Sequence, residues 1–271
     1  MLEPELSIVL PCLNGYGITK ECLEWIGRNT DANYEIILID DKSTDEVKDI
    51  EDYSVLQMLN RPYIIVRHSE NLGYAASTND GINLARGEYI ALFNNDMFIT
   101  KGWYQDLRSI LDSDDRIWVA SSSLILVEEG GLATMVDEAN LELIQENGWA
   151  IIESGPHLEY AWKDTFGKHK YKTATYSKDP WIESAGHPWL VKKDTFKELG
   201  VFDEQFYPST WEDIDMIHRI YMSGHIVARS SKSFAYHLSS YTQKHTLRPM
   251  LGNSYELENK QRYIKKWGDG G

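Results

Sequence analysis

Over its first hundred residues the chain alternates short, largely apolar runs with longer segments whose apolar residues recur at helical spacing, and few folds satisfy that alternation. Leu6 to Leu10 is a run of this kind, ending at Pro11. After the loop CLNGYG, residues 18 to 29 set Ile18, Cys22, Trp25 and Ile26 on one helical face. Tyr34 to Ile39 is a second apolar run, closed by Asp40 and Asp41, with Ser43 or Thr44 placed to cap a following helix. Tyr63 to Val66 is the third. Gly73 precedes a small-residue helix over about Tyr74 to Ala85, stopped by Gly87, and Tyr89 to Phe93 is the fourth strand. Strands that run apolar with little alternation are those covered on both faces, which joined through helices make a parallel sheet with right-handed crossovers. The expected class is α/β, with the order β-α-β-α-β-α-β.

In such sheets ligands sit beyond the carboxyl ends of the strands, where loops and helix N-termini converge. Polar residues close three strand ends here: Pro11 to Asn14, Asp40 to Asp45, and Asn94 to Asp96. The second half is less regular. It predicts a helix over Trp103 to Leu111, a strand near Ile117 to Ser121, a Lys-rich and aromatic hairpin within 160 to 180, and a helix over Asp194 to Leu199. A helix over 211 to 223, strands at Ile226 to Ala228 and Phe234 to His237, and a charged closing helix over Ser254 to Lys266 complete the pattern. No repeat or linker separates independent units, so one domain over 1–271 is expected.

Composition narrows the partners. With 42 Asp and Glu against 27 Lys and Arg, the net charge of -15 sets the average surface against nucleic acid and anionic lipid. Cys12 and Cys22 form no CxxC and have no Cys/His cluster around them, which argues against a disulfide framework or zinc site and for a reducing cytoplasm. No run of about 18 apolar residues is present, so no transmembrane segment is expected.

Three features carry chemistry. Asp96, at a strand end, suits a hard divalent cation whose other ligands are phosphate oxygens and water, although Asn and Asp also simply end strands. Glu212, Asp213 and Asp215 fall in the first turn of a helix. Ser209-x-x-Glu212 reads as a capping box, and the macrodipole favours acids there, but three like charges exceed what capping needs. A carboxylate made more basic by its neighbours serves as a general base. His237 ends a short apolar strand, while the other histidines, His218 and His225 among them, read as surface or packing residues. SENLGYAAS lacks GxGxxG and follows the third strand, so a dinucleotide site is not supported, and no P-loop is present.

Taken in order, LSIVLPCLNG, YEIILIDDKSTD, ENLGYAASTNDGINLARGEYIALFNND, SAGHPWLVKKDTFKELGVFDEQFYPSTWEDIDMIHRI, the histidine of AYHLSS and the closing YIKKWG resemble the family 2 glycosyltransferases of the GT-A fold. The resemblance runs from about residue 5 to 267 and is weakest over about 125 to 178. It implies a metal-dependent, inverting transfer of a sugar from a nucleotide-sugar, UDP- or dTDP-linked, to an acceptor hydroxyl. Residues 1–100 would form the nucleotide-sugar half, 101–240 the acceptor half with a smaller sheet, and 241–271 a helical tail serving as lid or homo-oligomer contact. Pro11, Leu13, Asp40, Asn79, Asn95 and Asp96 would bind the donor, Asp40 reading the pyrimidine edge. Asp96 and His237 would hold Mn²⁺ or Mg²⁺. Asp213 would be the catalytic base, with Trp189, Trp211 and Glu212 toward the acceptor. The family's first DxD acid is Asn94 here. A nucleotidylyltransferase and a catalytically silent sugar- or nucleotide-binding module are the alternatives.

Overall fold

The structure, a computed structural model, describes residues 3–47, 54–126, 171–173, 187–238 and 241–268. Most of the expected hairpin within 160 to 180 lies outside them. The alternating half forms as its pattern dictates: β1 (Leu6–Cys12), α1 (Tyr16–Asn29), β2 (Tyr34–Asp40), α2 (Ser54–Leu59), β3 (Tyr63–Arg67), α3 (Tyr74–Leu84) and β4 (Tyr89–Leu92). β3, β2, β1 and β4 lie side by side and parallel, with every residue of β1, β2 and β4 buried. Helices cover both faces, as the largely apolar runs require. α3 approaches β1 closely because position 81 is glycine; a Cβ there would lie 2.2 Å from Val9 Cγ1.

The turn after Asp41 differs from expectation. Ser43 and Thr44 bond within the turn instead: the Ser43 amide donates to Asp40 Oδ1 (2.8 Å), and the Thr44 amide donates to Asn14 Oδ1 (2.7 Å). The second bond, with the Asn14 amide donating to Ser43 Oγ (2.8 Å), ties the β1 and β2 loops together at the carboxyl edge of the sheet.

Beyond β4 the chain changes direction. β5 (Met97–Ile99) is followed by α4 (Trp103–Leu111), β6 (Ile117–Leu126), β7 (Tyr171–Thr173), β8 (Trp189–Lys192), α5 (Lys193–Leu199), α6 (Glu212–Met222) and β9 (Ile226–His237). A π-helical turn over Gln243–Leu247 leads into α7 (Arg248–Leu251), and α8 (Ser254–Trp267) closes the chain. β8 runs antiparallel between β4 and β6, β9 lies parallel to β6, and β5 and β7 pair antiparallel with β9. The smaller, outer set of antiparallel strands is thus hydrogen-bonded onto the parallel sheet. The two strands expected at 226–228 and 234–237 are one, with a register shift between Ser121 and Ser123 where β9 carries extra residues. That irregularity re-aims the end of β9 toward β5.

The position of β5 brings the site together. β4 and β5 are separated by only Phe93 to Asp96, yet β4 lies in the middle of the sheet and β5 at its edge. The polar linker therefore crosses the carboxyl edge, and pairing of Met97 with His237 seats Asp96 beside the end of β9. The Leu238 amide donates to the Asp96 carbonyl at 3.1 Å, fixing that corner.

Candidate active site

The loops after β1 and β4, the N-termini of α3 and α6, the end of β9 and the π-helical turn surround a cavity of about 360 Å³. Of the residues expected at a site, Pro11, Leu13, Asn95, Asp96, Trp211, Glu212, Asp213 and His237 line it. Asp40, Asn79 and Trp189 do not.

Each exception has a physical reason. Asp40 is wholly buried, accepting from the Ser43 amide and paired with Arg67 Nε at 2.9 Å. Its neighbour Asp41 lines the cavity instead, its carboxylate bound by the Leu72 and Gly73 amides at 2.7 and 2.9 Å and by His68 Nδ1 at 2.9 Å. Asn79 is spent on folding: its Nδ2 donates to the Phe202 carbonyl (3.0 Å) and Glu204 (2.9 Å), and its Oδ1 accepts from the Phe202 amide (2.9 Å). Trp189 is fully buried in β8, stacked between His187 and Phe202, so it reaches no acceptor. His187, which precedes β8 and stacks on the Trp189 ring, lines the cavity in its place.

The acids of α6 divide into distinct roles. The helix begins at Glu212 after Trp211, whose φ of 75° follows a φ of 77° at Thr210. Two adjacent side-chain-bearing residues in the left-handed region cost about 1–3 kcal/mol each, a strain found where a site demands the geometry. Ser209 makes no cap hydrogen bond, so the capping box does not form. Asp215 is fully buried and structural, held by Arg219 (3.1 Å), Trp267 Nε1 (2.8 Å) and Lys266 (2.8 Å). Glu212 and Asp213 are left facing the cavity.

Their environments differ. Burial, then the charge of Asp213, pushes the Glu212 carboxyl well above the usual range, and Glu212 is 6% exposed with Oε2 lacking a partner. Burial also raises Asp213, opposed by the Ile214 amide, which donates to its Oδ1 at 2.8 Å. Asp213 is also the more exposed of the two. Adjacent carboxyls of this kind do not both ionise readily, and the pair favours one shared proton, held on the more buried Glu212. Because a raised pKa disfavours the charged fold, this group costs stability as pH rises above the unfolded glutamate range. Glu212→Gln is therefore expected to raise the unfolding temperature at pH 7–8, by on the order of 1 kcal/mol or more in stability, with the gain vanishing near pH 4. Thermal unfolding across pH measures it.

Also in the cavity lining, Asp96 Oδ1 lies 3.2 Å from His237 Nε2. Asn95 holds this corner in place, donating to Thr19 Oγ1 (2.9 Å) and the Asn14 carbonyl (3.3 Å) while accepting from Thr242 (3.4 Å). Asn94 Oδ1 has no partner and lines the cavity. A carboxylate and an imidazole are suitable donors for Mn²⁺ or Mg²⁺, and no cluster of three or more His, Cys, Asp or Glu occurs among the described residues. The pair therefore fits a cation that completes its coordination with substrate oxygens and water, not one caged by protein.

Sequence reasoning missed part of the wall. Tyr74 Oη lies 3.1 Å from His187 Nε2, and burial, then the charge of His237, pushes His187 down to about 3, so it is neutral. Asn71 Oδ1, Ser77 Oγ, Ser209 Oγ and Thr210 Oγ1 also line the cavity with no partner of their own. Buried polar atoms cost free energy unless bonded, so this concentration sets the cavity wall apart from the rest of the interior. No local pattern announces these residues. The cavity lining contains Asp41, Asp96, Glu212 and Asp213 but, among the described residues, no Lys or Arg.

Comparison with known proteins gives the family and the fold. The family model for glycosyl transferase family 2 matches residues 7–146. The chain belongs to that family. Among its curated relatives, the glycosyltransferase GlyG of Streptococcus pneumoniae serotype 4 is 38% identical over 111 residues, 41% of this chain and 36% of GlyG. The poly(ribitol-phosphate) beta-glucosyltransferase of Bacillus spizizenii is 37% identical over 101 residues, 35% of this chain but 15% of the relative. The chain thus spans about a third or less of the length of these relatives. Among solved structures, GalNAc-T7 with UDP, GalNAc and Mn²⁺ superposes with a TM-score of 0.68 at 17% identity, covering 98% of this chain and 48% of that one. S. aureus TarS 1-349 in complex with UDP gives 0.59 at 15% identity, covering 96% and 72%. The family 2 chain has the GT-A fold of these structures, and no helix among its described residues is long and apolar enough to cross a membrane.

Proposed function

We propose that this family 2 chain transfers a sugar from a UDP-linked donor to an acceptor hydroxyl with inversion, and that donor binding requires a divalent cation at Asp96 and His237. The observation that carries the reading is the charge of the cavity: four carboxyl groups and no Lys or Arg among its described lining residues. A diphosphate would be repelled there without a cation, and the Asp96–His237 pair is the place in the cavity suited to hold one. When bound, the ion supplies positive charge to the departing diphosphate. GalNAc-T7 and TarS are solved with UDP, the first also with Mn²⁺, which supports the choice of donor and metal. The family match favours this reading over nucleotidyl transfer.

The remaining roles fall to the chain's own groups. Asp213, partly exposed and ionised, takes the proton of the attacking hydroxyl. Glu212 keeps its proton and hydrogen-bonds the acceptor, and Trp211 packs beside it. The neutral Tyr74–His187 pair and the unpartnered Asn71, Ser77 and Thr210 atoms orient the sugar hydroxyls. Pro11, Leu13 and Asp41 border the nucleoside. In this division residues up to about 100 bind the donor, 101–240 bring the proton-handling pair, and the tail from 241 adds Thr242, Gln243 and Leu247 to the wall.

A thermal-shift panel of nucleoside diphosphates with and without Mn²⁺ tests the reading. At a hundredfold excess over Kd, UDP with Mn²⁺ is expected to add about 2.7 kcal/mol of stability, or roughly 5–10 °C. UDP alone is expected to add little. Equal shifts with and without the ion would remove the metal from the donor site.

A further inference from the structure

The closing YIKKWG stretch has no part in the chemistry described above, yet its helix reaches the active-site loop. Asn259 of α8 is wholly buried, and its Nδ2 donates toward three carbonyls of that loop: Tyr207 (3.2 Å), Ser209 (2.8 Å) and Thr210 (3.3 Å). Its Oδ1 accepts from Arg262. The carbonyls can only accept and the guanidinium can only donate, so the amide has one orientation. Aspartate would set an oxygen against the carbonyls, and an apolar residue would leave them unbonded.

The same face of α8 continues the clamp. The Tyr263 ring lies 5.1 Å from that of Trp211, and its hydroxyl is 2.7 Å from His218 Nδ1. Lys266 and Trp267 reach Asp215 at 2.8 Å each. From the opposite side, the Tyr74 amide donates to the Pro208 carbonyl at 2.7 Å. This approach needs glycine at 73, where φ is 88° and a Cβ would lie 2.8 Å from that carbonyl oxygen. The left-handed Thr210 and Trp211 are thus fixed between α3 and α8, and Glu212 follows directly.

We propose that α8, through Asn259, positions the 207–211 corner so that Glu212 and Asp213 face the reacting groups. Asn259 touches no ligand and is a positioning residue. The proposal rests on the reading of Glu212 and Asp213 as the proton-handling pair.

Its test compares Asn259→Ser with Lys266→Met, which loosens α8 from Asp203 and Asp215 without touching the 207–210 carbonyls. With UDP-GlcNAc and Mn²⁺ as the probe and water taking the sugar in place of the acceptor hydroxyl, Asn259→Ser is expected to lower kcat for hydrolysis to UDP and free sugar by about 10²-fold, the scale set by a misplaced group. The Kd for UDP should not move. Lys266→Met is expected to lose similar thermal stability while keeping kcat. Hydrogen exchange over residues 205–211 should quicken in Asn259→Ser alone, a readout that needs no turnover. Unchanged exchange, a wild-type kcat, or an equal kcat loss in Lys266→Met would overturn the proposal. If Asn259→Ser does not fold, Asn259→Gln, which keeps the donor on a longer arm, is measured against the same outcomes. Asp213→Asn run in parallel separates the two claims. Wild-type turnover in that variant defeats the reading of the pair, while exchange over 205–211 still decides what Asn259 holds.

Discussion

Asp213→Asn is expected to lower the rate of sugar transfer by about 10²- to 10⁴-fold while leaving UDP binding intact. The substitution is nearly isosteric, and its amide oxygen can still accept from the Ile214 amide, which lies 2.8 Å from Oδ1. What it loses is the capacity to take a proton. Initial rates with UDP-GlcNAc, read beside calorimetric binding of UDP, separate the two effects. Glu212→Gln should cost less, because a buried carboxyl that keeps its proton acts as a hydrogen-bond donor, and the glutamine amide can replace that donor. A reversed order would exchange the roles of the two acids, and near-normal transfer by Asp213→Asn would move the base elsewhere in the cavity.

Asp96→Ala should weaken Mn²⁺-dependent UDP binding by at least about tenfold, equivalent to about 1.4 kcal/mol. Asp96 and His237 meet at the end of β9, and the cavity's described lining has no Lys or Arg to compensate for the loss of either. Chelation of the metal from the wild-type chain should produce the same loss, and the two treatments should not add. Asn94→Ala should cost much less, since the position adjoins the pair without joining it. Calorimetry with UDP and MnCl2 measures all three. Undiminished binding by Asp96→Ala would place the cation, or the diphosphate, at other residues.

The parallel half of the fold was legible because largely apolar runs and helical spacing are local signals, and β1 to β4 follow them nearly residue for residue. β5 was not legible. MFI reads as the continuation of the preceding strand, and only its pairing with β9, about 140 residues later in the chain, sends it to the sheet edge. The same long-range pairing brings Asp96 to His237, which the sequence offered as separate candidates.

Within the site, residue type was a better guide than exposure. The adjacent Asp40 and Asp41 are equivalent as letters, and the Arg67 ion pair buries one while the 72–73 amides carry the other to the cavity. Asn79 and Trp189 carry suitable chemistry but are used up in packing. His187 reads, with the histidines other than His237, as a surface or packing residue, and its place beside Tyr74, 113 residues away in sequence, is a tertiary contact. The capping box failed for a related reason. The N-terminus of α6 is set by contacts from α3 and α8, not by Ser209.

The most direct test of the account is the anomalous diffraction of Mn²⁺ in crystals grown with UDP. The account predicts one strong peak within about 2.0–2.3 Å of an Asp96 carboxylate oxygen and of His237 Nε2, with the diphosphate completing its coordination. UDP seated in the cavity with no metal peak between those two side chains would contradict it.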